Sequence, residues 1–203
     1  MKYQEFRNGI KRPFFRKTDV DFKMANISSV QLSRWANKGY INQVKRGLYV
    51  FSDKKDALDS FSVSFLLYEP SYVSLESALS FYGLIPELVP ATTAISTRTT
   101  RTFTNQYGTF LYRHVKPELF FGYTPHEVSA GKYLLADPEK AVLDYVYFSR
   151  ARLHSTDDIH EWRINTEEFK KIIDVAKLKE YLKVYQSKKI DKITNLLLTH
   201  VNV

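Results

Sequence analysis

The chain has 203 residues, 44% of them apolar and none of them cysteine, which suffices for one large or two small packed domains and excludes disulfides and thiolate metal sites. The longest apolar runs, FLLY and VLDYVYF, fall far short of the roughly 18 residues of a membrane-spanning helix. The N-terminal MKYQEFRNGIKRPFF lacks the apolar stretch and cleavage site of a secretory leader, so a cytoplasmic protein with no membrane partner is expected, and the absence of cysteine fits a reducing compartment. The net charge of +8 is unevenly spread: residues 1–55 hold 13 Lys and Arg against 4 Asp and Glu, and the remaining 148 hold 17 against 18. Clustered cations of this kind seek a polyanion. Because they alternate with apolar positions and form no bare polybasic tract, nucleic acid is favoured over a lipid surface.

Tyr3, Phe6 and Ile10 form an i, i+3, i+7 stripe that predicts a first short helix, closed by Pro13. A second helix is predicted after Thr18, whose hydroxyl would cap DVDFKM with Asp19 and Asp21 near its positive end; the run Ala25 to Ile27 would then turn the chain. Ser28 to Gln31 reads as a capping box, S-x-x-Q, with Ile27 able to staple onto Leu32, so a third helix starts at about Ser29. Leu32, Trp35 and Ala36 make its buried face, and Gly39 its left-handed stop. The opposite face carries Gln31, Arg34 and Lys38 at i, i+3 and i+7, flanked by Ser33 and Asn37, side chains able to bond base edges. YINQVK and LYVF alternate as two strands joined through Lys45, Arg46 and Gly47. Helix, helix, turn, helix, then a hairpin with a cationic tip is the order of a winged helix-turn-helix, whose third helix enters a major groove while the wing touches the backbone or minor groove. The competing reading is a three-helix core with a solvated hairpin. On the first reading the DNA-binding residues are Ser29, Gln31, Ser33, Arg34, Asn37, Lys38, Lys45 and Arg46.

Further on, Leu58, Phe61, Phe65 and Leu66 predict a helix over Asp56 to Tyr68 that Glu69-Pro70 ends. SLESALSFYG reads as a short helix capped by Ser74 and stopped by Gly83. TTAIST, RTFT and TFLYRHV are rich in Thr and aromatics and predict strands, with NQYG as a turn. KYLLADPEKAVLDYVYFS predicts a strand, Asp137 as N-cap, Pro138 at the first helical position and a buried helix. From Thr166 onward EEFKKIIDVAKLKEYL and KIDKITNLLLTHV are amphipathic helices. The fold class is therefore α+β: an N-terminal winged helix-turn-helix over 1–55, then a mixed α+β domain with C-terminal helices over 56–203.

Several runs together resemble one family. Arg46-Gly47-Leu48-Tyr49, PSYVSLESALSFYGLIPE (Pro70 to Glu87), YGTFLYRHV (Tyr107 to Val115), FFGY (Phe120 to Tyr123) and ADPEKAVLDYVYF (Ala136 to Phe148) are similar, in that order, to the AbiEi family of antitoxins from type IV toxin-antitoxin systems of abortive phage infection. The resemblance spans about residues 13 to 150. It implies a winged-helix transcriptional autorepressor that binds inverted repeats of double-stranded DNA upstream of its own operon, and a C-terminal domain that counters a nucleotidyltransferase-like toxin without a stable complex. No enzymatic activity and no cofactor are expected.

An enzymatic alternative attaches to Asp137, Glu139 and Lys140, since metal-dependent nucleases of a defence system combine a carboxylate with a Glu and a Lys. Such sites draw their Asp from one strand and an E-x-K pair from the next, whereas Glu139 and Lys140 are adjacent and follow a proline, which suits a helix start. His154 and His160 flank Asp157 and Asp158 in HSTDDIH, but residues six apart stand about 240° apart round a helix, so a solvated turn is expected there and no metal site. Tyr72, Phe81, Tyr82, Phe120, Phe121 and Tyr123 read as core in preference to a ligand groove.

Overall fold

A computed structural model describes residues 2–23, 27–87, 89–128 and 131–203, an α+β arrangement with two sheets. The first fifty-odd residues form α1 (Tyr3–Asn8), β1 (Phe14–Arg16), α2 (Lys17–Lys23), α3 (Ser29–Asn37), β2 (Ile41–Lys45) and β3 (Leu48–Phe51). β2 and β3 make the expected hairpin. β1, three residues too short for alternation to register in the sequence, pairs antiparallel with β3, so the sheet order is β1-β3-β2. Its presence moves the start of α2 to Lys17: the strand runs straight into the helix and leaves Thr18 inside the first turn instead of capping it. The expected turn at Ala25 and Asn26 lies outside the described residues.

α3 begins where the sequence places it. The Ser28 Oγ accepts a hydrogen bond from the Gln31 backbone N–H at 3.2 Å, and Gly39, with φ of +69°, ends the helix. Leu32 and Trp35 are buried among Phe6, Phe15, Val20, Ile27, Ile41 and Phe51. The Trp35 ring lies 4.9 Å from that of Phe6 and 5.5 Å from that of Tyr3. The Arg7 guanidinium ties α1 to the end of the hairpin, 2.9 Å from Asp53 and stacked over Phe51.

A 3-10 segment (Ser52–Ala57) leads into α4 (Ser60–Leu67), which starts four residues later than the sequence predicts because the Asp59 carboxylate caps it, accepting from the Ser62 N–H at 2.7 Å. Then come β4 (Ser71–Val73), α5 (Leu75–Phe81), β5 (Ala91–Ser96), β6 (Arg101–Asn105), β7 (Gly108–His114), β8 (Tyr123–Val128), β9 (Gly131–Ala136) and α6 (Pro138–Ser149). The last quarter is α7 (Thr156–Glu161), α8 (Thr166–Ile172), α9 (Val175–Tyr185) and α10 (Lys188–His200). The six strands run in the order β6-β7-β5-β4-β9-β8, with the β5/β7 and β4/β9 pairs parallel and the others antiparallel. Successive residues of β5 point to opposite faces: Ile95 joins the core under α5 and α6, and Ala94 joins the one under α4 and the hairpin.

Three local expectations are corrected. HSTDDIH is not a turn but α7, nucleated by a capping box between Ser155 and Asp158. The run from Thr166 to Leu182 is two helices, because the Asp174 carboxylate accepts from the Ala176 and Lys177 N–H groups and starts α9 afresh. Ser74 and Asp137 occupy the N-cap positions of α5 and α6, but their side chains cap nothing and bond elsewhere.

The boundary drawn at residue 55 falls within the 3-10 segment, and an apolar cluster joins the two parts across it. Val44, Leu48 and Val50 of the hairpin pack with Leu66, Leu67 and Tyr68 and, from the large sheet, with Phe110 and Tyr112. Asn105 adds a hydrogen bond to the Val44 carbonyl at 3.2 Å, and Arg16 pairs with Glu69. Among the described residues no helix is long and apolar enough to cross a membrane.

Candidate nucleic-acid interface

α3 turns one face out. Taking Ser29 as origin and advancing about 100° per residue, Ser33, Asn37, Val30 and Arg34 fall between about 40° and 140°, and all four are exposed. Ser29 and Lys38 are exposed at the two edges of this face. Gln31 is half-buried: it lies next to Trp35 round the helix, so the expected Gln31–Arg34–Lys38 line runs along the flank, not the crest. The crest includes Val30, 61% exposed, a residue the polar pattern of the helix hides. An exposed isopropyl group among hydroxyl, amide and guanidinium groups suits the methyl of a thymine. No carboxylate lies on α3, and its inner face is fixed by Leu32 and Trp35.

The hairpin tip divides in two. Arg46 is exposed, and no carboxylate pairs with it among the described residues. Lys45 is corrected. Its ammonium turns inward and donates to the Leu67 carbonyl at the end of α4, at the point where the register of β2 against β3 shifts. Burial lowers its pKa from the ordinary lysine value, and the nearby Arg16 guanidinium adds to the effect. Further cations lie outside residues 1–55, where the near-zero charge of the remainder conceals them. Arg98 and Arg101, in the acid-free run STRTTRTFT, are exposed, with their guanidinium groups over Tyr68 at 4.5 Å and Phe103 at 5.2 Å. Lys11 and Arg12 are also exposed.

Asp137, Glu139 and Lys140 do not converge on a common point. Lys177 of α9 bridges the two carboxylates, its Nζ 3.1 Å from Asp137 Oδ2 and 3.1 Å from Glu139 Oε2. Burial opposes the Lys177 ammonium, but these bonds prevail and hold its pKa above the usual lysine range. Asp137 Oδ2 also accepts from the Tyr181 hydroxyl at 2.9 Å, and Glu139 Oε1 from the Asp174 N–H at 2.9 Å. A lysine cation thus sits where a nuclease would hold its metal. Lys140 points the other way, into the core.

There Lys140, fully buried, pairs with the equally buried Asp144 one turn along α6. The Lys140 Nζ also donates to the Tyr185 hydroxyl at 2.8 Å, and Asp144 accepts from Tyr185 at 2.9 Å, Tyr72 at 3.0 Å and Ser74 at 2.8 Å. Burial raises the pKa of both phenols, and the Asp144 charge adds to it, so they remain donors. Gly122, in FFGY, lets the chain pass this centre: a β-carbon there would stand 2.8 Å from the Tyr181 ring and 3.2 Å from Lys140 Cβ. Adjacent in sequence, Tyr123 stacks on Tyr72 at 4.8 Å and Phe120 packs at 5.1 Å, whereas Phe81 is 50% exposed.

His154 and His160 do not meet. The His160 ring faces His200 at 5.7 Å, and among the described residues no group of three His, Cys, Asp or Glu is placed to hold a metal ion. No protein-family model matches the chain, and no curated protein matches it either.

Proposed function

We propose that the chain is a DNA-binding transcriptional repressor that acts through an N-terminal winged helix-turn-helix, with α3 as its recognition helix and the β2–β3 hairpin as its wing. The observation that carries this reading is the outward face of α3. An α-helix with its side chains is about 10–12 Å across, which matches a major groove about 12 Å wide, and the nine residues of α3 run about 13 Å along it, with Val30, Ser33, Arg34 and Asn37 facing out and a rigid aromatic core behind. The AbiEi-like runs extend the proposal to an autorepressor of inverted repeats that is also an antitoxin against a nucleotidyltransferase-like toxin, and rescue of cells expressing the neighbouring reading frame tests that extension.

The DNA reading is tested by titrating variants against the chain's own upstream DNA and against a scrambled duplex at several salt concentrations. Arg34→Ala is expected to cost about 1–3 kcal/mol on the cognate duplex and little on the scrambled one, since a guanidinium can bond both acceptors of one guanine. Arg46→Ala should weaken both duplexes alike and reduce the salt slope by about one. Lys45→Ala should leave that slope unchanged, its ammonium being bound to Leu67. Loss of sequence preference in Arg46→Ala, with uniform weakening in Arg34→Ala, would invert the two roles. DNA and RNA incubated with Mg²⁺ or Mn²⁺ should remain intact; cleavage that depends on Asp137 and Glu139 would replace the repressor with an enzyme.

A further inference from the structure

We propose that the cleft between the N-terminal module and the large sheet binds a small amphipathic anion, an apolar body with a carboxylate, sulfonate or phosphate head. The cleft measures about 760 Å³, within the roughly 300–1,000 Å³ of small-molecule sites, and lies between two parts of the fold, where such sites concentrate. This inference is independent of the DNA reading.

The lining sorts by chemistry. Leu58, Phe65 and Leu66 form an apolar wall on and just before α4, and Phe14 of β1 faces them. In that wall stands Ser62, 1% exposed, one of the residues that line the cleft, and its buried Oγ has no hydrogen-bond partner among the described residues. Buried hydroxyls in folded proteins are nearly always bonded, so an unpartnered one lining a cleft is a donor without its acceptor. Its backbone N–H is already committed to Asp59, which leaves the hydroxyl free to turn.

Charge at the rim selects the head group. Lys11, Arg12 and Lys132 line the cleft, are exposed, and make no ion pair among the described residues. Of the carboxylates that also line it, Glu69 is bound to Arg16, which leaves Asp19 and Glu127 against three free cations. A neutral apolar guest would leave the rim unused, and a cationic one would meet the larger number of like charges. An anion with its tail toward Leu58, Phe65 and Leu66 satisfies both regions.

The test uses the full chain and two probes of this class, octanoate and naphthalene-1-sulfonate, titrated by calorimetry beside octylamine and octan-1-ol. Saturable one-to-one binding of at least one anionic probe, tighter than that of the amine and the alcohol, is expected. The double variant Arg12→Glu, Lys132→Glu changes two exposed side chains and should keep the wild-type unfolding midpoint while binding about tenfold or more weakly, two charge-assisted contacts being lost. Ser62→Ala should also weaken binding, by a smaller factor. The proposal is overturned if neither anion saturates at millimolar concentration, if amine or alcohol binds as tightly as the anions, or if the double variant binds undiminished.

Discussion

Asp144→Ala is expected to lower the stability of the chain by about 3–5 kcal/mol, the cost of leaving a buried charge without its partner and a large fraction of the total stability of a typical domain. Four donors converge on this carboxylate: the Lys140 ammonium, the phenols of Tyr72 and Tyr185, and the Ser74 hydroxyl. Without it the Lys140 cation keeps the Tyr185 hydroxyl at 2.8 Å and the rings of Phe121 and Tyr185 at 4.9 and 5.1 Å. Contacts of that kind supply about 2 kcal/mol when desolvated, too little to hold an ammonium out of water. Lys140→Met combined with Asp144→Leu should regain much of the loss, since a buried ion pair and an apolar pair of similar volume are close in stability. The recovery should be incomplete because three hydroxyls would still lack an acceptor. Urea titrations of the three proteins decide the matter. An Asp144→Ala midpoint equivalent to less than about 1 kcal/mol of destabilisation would mean that the pair contributes little.

Trp35→Ala should be comparably severe, about 3–5 kcal/mol for emptying a site of this size in a packed interior. Trp35 is 3% exposed and is the largest side chain between α3 and the hairpin. The cavity would open under the helix whose outer face carries Arg34, so DNA affinity should fall together with stability. The second tryptophan, Trp162, lies in the other part of the chain, and its fluorescence in the variant follows unfolding without a reporter in the cavity. A Trp35→Ala protein that keeps the wild-type midpoint and loses DNA alone would make Trp35 a surface contact instead of a core one.

What the sequence made legible follows the range of the interactions involved. The start of α3 depends on Ser28 and Gln31, three residues apart, and its end on Gly39, so both could be read locally. β5, β6 and β7 are five to seven residues long and rich in β-branched and aromatic side chains, which is enough for pattern to register. β1 and β4 have three residues each, too few for alternation to register, and all three of β4 are buried. The caps at Ser74 and Asp137 mislead for another reason: their side chains serve α6 and α9 across the fold, a demand that competes with capping and leaves no trace within a few residues. The candidate DNA site shows the same division. Arg34 and Asn37 follow from helical spacing, whereas the inward turn of Lys45 depends on the Leu67 carbonyl, 22 residues away. Val30 was hidden because exposure of an apolar residue is a property of the packed helix, not of its composition.

The apolar cluster formed by Val44, Leu48 and Val50 with Phe110 and Tyr112 has a thermodynamic corollary. Cutting the chain near residue 55 would bare both halves of that cluster to water, so neither piece is equivalent to the part it came from, and surface point variants are the sounder way to separate activities. Heated intact, the chain should absorb heat in one endotherm instead of two, with calorimetric and van't Hoff enthalpies in agreement. In such a unit, mass action does not respect the boundary at 55. A ligand held by either end in the native state alone displaces the whole chain's melting temperature upward, and a molecule captured at α3 protects α10 from unfolding without touching it.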